Sequence, residues 1–210
     1  MIDLYTWSTP NGRKISIALE EMGLAYTTHP INIGKDEQFA PDFLKISPNN
    51  KIPAIIDRDN GQCVFESGAI LMYLGDKTGK LYPSEAKARI RIHEWLMWQM
   101  SAVGPFLGRA HYFLHYNEGK APFAETWFET EANRLYGVLD RLLDGQDFMC
   151  GDYSIVDIAT FPWIARFEWQ RIDLGKYPNV RRWYRALAAR PAVIKGYKVP
   201  DAKAEIPEPR

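Results

Sequence analysis

The sequence predicts an α/β unit followed by an all-helical unit. Three observations carry this reading. Strand and helix signals alternate from Ile2 to Lys80, and β-branched runs almost vanish after Tyr82-Pro83. Ser154-Ile155-Val156-Asp157 then forms an S-x-x-D capping box that opens an apolar helix far into the second part. At 210 residues the chain is long enough for two modest cores.

The first strand is Ile2–Trp7, which breaks at Ser8-Thr9-Pro10-Asn11-Gly12. Ile15, Ala18, Leu19 and Met22 then recur at helical spacing, with Pro10 suited to the first turn and Gly23 to the stop. A second strand is expected from Tyr26 to Ile33, and a short helical turn over Asp42–Lys45. Pro53–Asp57 and Gln62–Phe65 read as a hairpin around Asp59-Asn60-Gly61. A helix over Ser67–Lys77 completes the order β-α-β-(α)-β-β-α. Beyond Pro83 a long helix is expected from Ala86 towards Ala110, kinked at Gly104-Pro105. Further helices are expected over Phe123–Leu143, after Ser154, and over Val180–Ala189. The expected division is 1–80, a helical domain over 86–198, and an extended proline-bearing tail from Val199.

Asn50-Lys51-Ile52-Pro53 and Phe65-Glu66-Ser67 stand out chemically. Proline is excluded from the interior of a buried strand, because it cannot donate to the ladder. At a strand's first position it fixes a tight entry, and a cis bond there is a deliberate feature. The residue before it keeps a backbone edge free to dock an extended peptide. Glu66-Ser67 opens a helix, whose free N–H groups attract a carboxylate. Together they describe a slot for a small peptide with an amine and carboxylates. Taken singly, Ser67 also reads as a simple N-cap, Glu66 as a strand-end acid, and Thr9 as a helix cap.

Composition narrows the function classes. Lys and Arg (26) balance Asp and Glu (26), so no global field attracts nucleic acid or anionic lipid. No apolar run approaches the roughly 18 residues of a membrane span. The opening Met1-Ile2-Asp3-Leu4-Tyr5 lacks the pattern of a signal peptide, so a cytoplasmic location is expected. Cys63 and Cys150 form no C-x-x-C and are expected to be neither zinc ligands nor a disulfide framework. Cys63, in an apolar neighbourhood, is expected to be a buried, inert thiol. No histidine has a partner at metal-ligand spacing, so no metal is expected.

Thr9-Pro10-Asn11-Gly12, Gln38-Phe39, the run Ser47–Ile55, Phe65–Ile70 and Gly151–Ala159 resemble the cytosolic glutathione transferases, over almost the whole chain. The Thr-Pro-Asn-Gly turn and the Ser-Pro-Asn-Asn-Lys-Ile-Pro run look most like the bacterial nu class, relatives of the yeast nitrogen-regulator prion protein. The resemblance implies a thioredoxin-like N-terminal domain, a C-terminal helical bundle, a homodimer, and glutathione as co-substrate. It implies that Thr9 and Asn11 face the sulfur, with Ser8 the nearest rival. Ile52 would pair its backbone with the cysteinyl unit across a cis Pro53 bend. Glu66 would accept the γ-glutamyl amine and Ser67 would hold its carboxylate. Gln38 and Lys51 would reach the glycyl end, Lys51 reading equally as a solvated lysine. The second-substrate pocket would include His111 and Tyr112, although aromatic clusters on helices also read as core. Some nu-class relatives place an arginine of the helical domain on glutathione, and Arg134 is a weak substitute here.

A free thiol with pKa about 8.5 is only a few per cent thiolate at neutral pH. A charge-assisted hydrogen bond of about 1.5–3 kcal/mol plus a helix-dipole contribution of about 0.3–1 kcal/mol would lower it by about one to three units. The resemblance points to disulfide-bond reduction using one or two glutathiones, with peroxide reduction as a companion activity. The alternatives are conjugation of glutathione to an electrophile and a non-enzymatic binding or regulatory protein.

Overall fold

The computed structural model describes residues 1–209. It begins with β1 (Ile2–Thr6), α1 (Pro10–Met22), β2 (Tyr26–Pro30), α2 (Pro41–Ile46), β3 (Ala54–Asp57), β4 (Gln62–Phe65) and α3 (Ser67–Thr78). The four-stranded sheet has the order β2-β1-β3-β4. β1 runs parallel to β2 and antiparallel to β3, and β3 and β4 form the hairpin expected around Asp59-Asn60-Gly61. The alternating signals anticipate this element order, and the sheet is the thioredoxin-like arrangement that the resemblance implies. β2 stops at Pro30, short of Ile33, because its partner β1 ends at Thr6, whose carbonyl accepts from the Ile31 amide at 2.9 Å.

α1 is the most enclosed helix of this unit. Thr9 caps it by accepting from the Gly12 amide at 3.1 Å, Pro10 sits in its first turn, and Gly23 closes it in the left-handed region at φ 73°. Gly12 is required by close approach: a Cβ there would lie 2.3 Å from the Trp7 carbonyl oxygen and 2.5 Å from Thr6 Oγ1. Every residue from Gly12 to Leu19 is buried, including Arg13, Lys14 and Ser16. Two helices, α3 and α9 (Pro191–Tyr197), pack against α1. Arg13 Nε donates to the Tyr197 carbonyl at 3.1 Å, and Ser16 Oγ to that of Gly196 at 2.7 Å.

The chain therefore divides into one compact unit of Met1–Ser84 with Ala189–Ile206, and a second of Glu85–Ala188 with the chain from Pro207. The sequence reading ends its last helix at Ala189 and extends the helical domain to 198; α9, which it did not name, packs against α1 in the N-terminal unit.

The helical unit contains α4 (Ala86–Trp98), α5 (Gly104–Ala110), α6 (Pro122–Leu142), α7 (Ile155–Ile164) and α8 (Pro178–Ala188). Where a kink is expected, a π-helical segment over Gln99–Val103 joins α4 to α5, and a second follows at His111–Tyr116. The wider turn before Pro105 accommodates a residue that has no N–H and whose ring crowds the preceding turn. The capping box forms as expected. Asp157 is fully buried and accepts from the amides of Ser154 and Met149 (both 3.0 Å), from Ser154 Oγ (3.1 Å) and from Trp183 Nε1 (2.8 Å). It thus ties α7 to α8 as well as closing its own helix. Beyond Val199 the described residues form no helix or strand, and Tyr184 Oη donates to the Pro207 carbonyl at 2.6 Å.

Candidate active site

Sheet register assembles the predicted residues of the N-terminal unit at one end. Tyr5 pairs with Ala54, and Ala54 with Phe65, so one row crosses β1, β3 and β4. Strands in a sheet lie about 4.8 Å apart. The next residues outward are therefore neighbours: the β1–α1 turn with Thr9 and Asn11, Pro53 and Ile52 before β3, and Glu66 and Ser67 after β4. Thr6 pairs with Pro30 in the parallel direction, so the segment leading to Gln38 leaves the sheet from that end too.

Each part is held by its own local structure. The Ile52–Pro53 peptide bond is cis, and Ile52 precedes the first ladder residue, Ala54. Buried Ser47 donates its hydroxyl to the Lys51 carbonyl at 2.8 Å and fixes the approach, while the Lys51 side chain is exposed. Glu66 occupies the cap position of α3 with φ 69°, in the region that favours glycine. Such strain marks a residue held in place by its surroundings. Its Oε1 accepts from Asn49 Nδ2 at 3.5 Å. Ser67 is the first helical residue, as in the helix expected over Ser67–Lys77, and Glu66 takes the cap position that Ser67 taken singly could also have held. Ser67 is buried, and its Oγ accepts from Lys14 Nζ at 3.2 Å. Gln38 Oε1 is buried without a hydrogen-bond partner among the described residues, while its Nε2 reaches Asp36 at 3.4 Å.

Thr9 both caps and retains a proton to give. Its oxygen accepts from Gly12, which leaves its O–H able to donate outward. With the N-terminus of α1 beside it, this turn is suited to an anion. It contains no cysteine, so a sulfur acting there must arrive on a ligand.

In the helical unit, His111 is buried and Tyr112 exposed. His111 Nε2 lies 2.9 Å from Gln170 Nε2, and Gln170 Oε1 accepts from Tyr136 Oη at 2.6 Å. Burial pulls the imidazole down to about 3, so it is neutral and accepts from the glutamine. Arg134 is forked onto Glu131 of the same helix at 2.6 and 2.7 Å. Cys63 is exposed rather than buried, because β4 is an edge strand whose outer face carries it. Cys150 is half-buried, and burial pushes its thiol up to about 12. Among the described residues no His, Cys, Asp and Glu group is arranged to hold a metal, and no helix is long and apolar enough to cross a membrane.

Residues 1–76 match the profile of the glutathione S-transferase N-terminal domain, and 97–191 that of the C-terminal domain. The chain belongs to the glutathione S-transferase family. Within that family it is 46% identical over 198 residues to the disulfide-bond oxidoreductase YfcG of Escherichia coli, covering 91% of this chain and 92% of the relative. A glutathione transferase from Pseudomonas putida, solved with one glutathione disulfide bound per subunit, superposes with a TM-score of 0.90 at 41% identity, covering 95% of this chain and 91% of that one. Another, from Burkholderia graminis, was solved with two glutathione molecules per subunit; it gives 0.88 at 41% identity, with 95% and 88% covered. What sequence reasoning missed beside the predicted site residues is the buried Lys14, whose Nζ reaches Ser67 Oγ. The available signal was its spacing: Lys14 precedes Ile17 and Ala18 by three and four residues, which puts it on their inward face.

Proposed function

We propose that this protein is a glutathione-dependent disulfide-bond oxidoreductase. The observation that carries the reading is a peptide-binding sheet end beside a cysteine-free α1 turn, which supplies an oxyanion-type donor but no thiol. Disulfide chemistry at such a turn must use the sulfur of a bound peptide. Glutathione fits the slot by its chemistry. Ile52 offers backbone hydrogen bonds to its cysteinyl unit, Glu66 accepts its amine, and Ser67 with the α3 amides receives the γ-glutamyl carboxylate. Gln38 and Lys51 face the glycyl carboxylate. Thr9 donates to the sulfur, with Asn11 beside it and the α1 dipole favouring the thiolate.

The thiolate attacks one sulfur of a substrate disulfide. This forms a glutathione mixed disulfide and expels the other half as a thiolate, which takes a proton from water. A second glutathione thiolate attacks the mixed disulfide at the glutathione sulfur, giving glutathione disulfide and the second substrate thiol. Glutathione is oxidised by two electrons and the substrate is reduced by two. The relatives bound to glutathione disulfide or to two glutathiones support a site with room for both. Tyr112 is exposed on the π-helical segment and buried His111 braces the same segment from within, and they are the residues of the helical unit put forward for the second substrate. The reading includes a cytoplasmic homodimer and slower peroxide reduction by the same thiolate.

The test is reduction of 2-hydroxyethyl disulfide at saturating glutathione, followed by NADPH oxidation through added glutathione reductase. Turnover that depends on this protein is expected. A folded protein with no turnover overturns the reading. Consumption of an aryl halide without formation of glutathione disulfide identifies a conjugating enzyme instead, and binding of glutathione without turnover identifies a regulatory protein.

A further inference from the structure

Arg166 follows the end of α7 and opens a 3-10 turn, Phe167–Gln170, that packs against the π-helical segment His111–Tyr116. Its guanidinium lies over the indole of Trp169, with Cζ 4.1 Å from the ring centroid. His115 stacks on the same indole at 4.2 Å and 9°. Two groups that close to one centroid must take opposite faces, so the indole is sandwiched and the guanidinium ends the column. Tyr116 meets the indole edge-on at 5.6 Å. Arg166 and Trp169 are half-buried, while His115 and Tyr116 are exposed, so the column stands at the surface of the helical unit.

The column lacks an acid. Elsewhere in the same unit, Arg134 pairs with Glu131, Arg171 with Glu118, Glu125 and Glu129, and Arg182 with Asp147. Arg166 pairs with no carboxylate of the described residues, and its Nε is buried without a hydrogen-bond partner among them. Buried donors are nearly always satisfied, and a charge withdrawn from water costs free energy unless it is paired. Nor does the interior behind it supply a counter-charge: burial, and then the charge of Arg166 itself, hold His111 neutral. A guanidinium stacked on an aromatic ring is pre-organised to offer its fork to a planar carboxylate. We propose that Arg166 binds a carboxylate of the second substrate, so that this protein favours disulfides carrying a carboxylate over neutral ones. The inference rests on the reading of the segment with His111 and Tyr112 as the part of the helical unit that meets the second substrate, and it names the class of that substrate. His115 and Tyr116 belong to the same segment, so the column is built onto it.

The binding probe is thiodipropionate, a dicarboxylate with no disulfide to reduce, and thiodiglycol is its neutral counterpart. Calorimetric titration into the full-length protein at low ionic strength is expected to show the dicarboxylate binding and the diol not. Arg166→Gln is expected to weaken the dicarboxylate about tenfold, and Arg166→Lys less, because an ammonium keeps the charge but not the planar fork. Equal affinity in wild type and folded Arg166→Gln overturns the inference, as does a wild-type protein that does not bind the dicarboxylate. Kinetics supply the second arm. At saturating glutathione, the ratio of kcat/KM for dithiodipropionate to that for 2-hydroxyethyl disulfide is expected to fall about tenfold in Arg166→Gln, chiefly through KM. An unchanged ratio with turnover retained overturns the inference and leaves the disulfide-reductase reading standing. No turnover of either disulfide by the wild type overturns that reading and this inference together. Should Arg166→Gln not fold, Arg166→Lys and the wild-type comparison of dicarboxylate with diol still decide.

Discussion

Thr9 does two tasks with one hydroxyl. Its lone pair caps α1, and its proton remains to meet a developing thiolate. Replacing Thr9 with Val removes both. The loss of a charge-assisted hydrogen bond, about 1.5–3 kcal/mol, corresponds to a fall in disulfide reductase kcat/KM of about ten- to hundredfold. Thr9→Ser should retain most of the activity, since it keeps the hydroxyl. Ultraviolet titration of the bound thiolate checks the cause, because its pKa should rise in Thr9→Val and stay low in Thr9→Ser. Asp3 gives a second residue-scale outcome. Arg58, at 2.5 and 2.6 Å, and then His29, at 2.8 Å, hold its carboxyl down to about 2 from an ordinary 3.8. A carboxyl lowered in the folded state stabilises above its unfolded value and loses that contribution as pH falls through its folded one. The urea midpoint should therefore decline between about pH 4 and pH 2, and Asp3→Asn should flatten that limb.

At the scale of elements, α1 is defined by what presses on it. Gly196 of α9 touches Ile17 so closely that a Cβ would lie 2.6 Å from its backbone nitrogen and α-carbon. Both obstacles are backbone, so Gly196→Ala must push the helices apart. We expect a loss of about 1–3 kcal/mol by urea unfolding, the scale of overpacking in a filled core. The contact also helps α1 to bury Arg13 and Ser16, since Arg13 Nε and Ser16 Oγ donate to the carbonyls of Tyr197 and Gly196. α7 follows the same logic with a different device. Asp157 satisfies its own helix and also Met149 and Trp183, so the capping box is a junction between elements.

For the whole molecule, the return of Ala189–Ile206 to the N-terminal unit matters most. A chain ending at Arg190 would retain every residue of the candidate site and the complete sheet. It would nevertheless lose α9 and with it the carbonyls of Tyr197 and Gly196 that accept from Arg13 Nε and Ser16 Oγ, at about 0.5–1.5 kcal/mol for each hydrogen bond lost. Thermal unfolding of the truncated protein should show a lower midpoint. Hydrogen exchange should accelerate in α1 and the sheet before it does in α6 and α7. Equal protection in the two units would show that α9 is dispensable. Such a truncation also tests whether the slot depends on a helix that contributes no side chain to it.

The sequence by itself determined whatever is decided by neighbours along the chain. Thr9 and Pro10 start α1, Asp59-Asn60-Gly61 turns the hairpin, Ser154 and Asp157 cap α7, and Pro53 closes the ladder of β3, each through backbone geometry or a hydrogen bond spanning a few residues. The family motifs at Ile52-Pro53 and Glu66-Ser67 were legible for the same reason, since each is a short segment with its own conformation. Tertiary structure alone decided which residues those segments meet. Ser67 became a buried helical residue facing Lys14, Cys63 fell on the exposed face of an edge strand, and the last helix joined the first domain. These outcomes depend on partners far away in sequence, and burial changes the chemistry they express. A lysine that reads as one more cation in the chain is, once enclosed beside a serine at a helix mouth, pulled by burial below the ordinary lysine range.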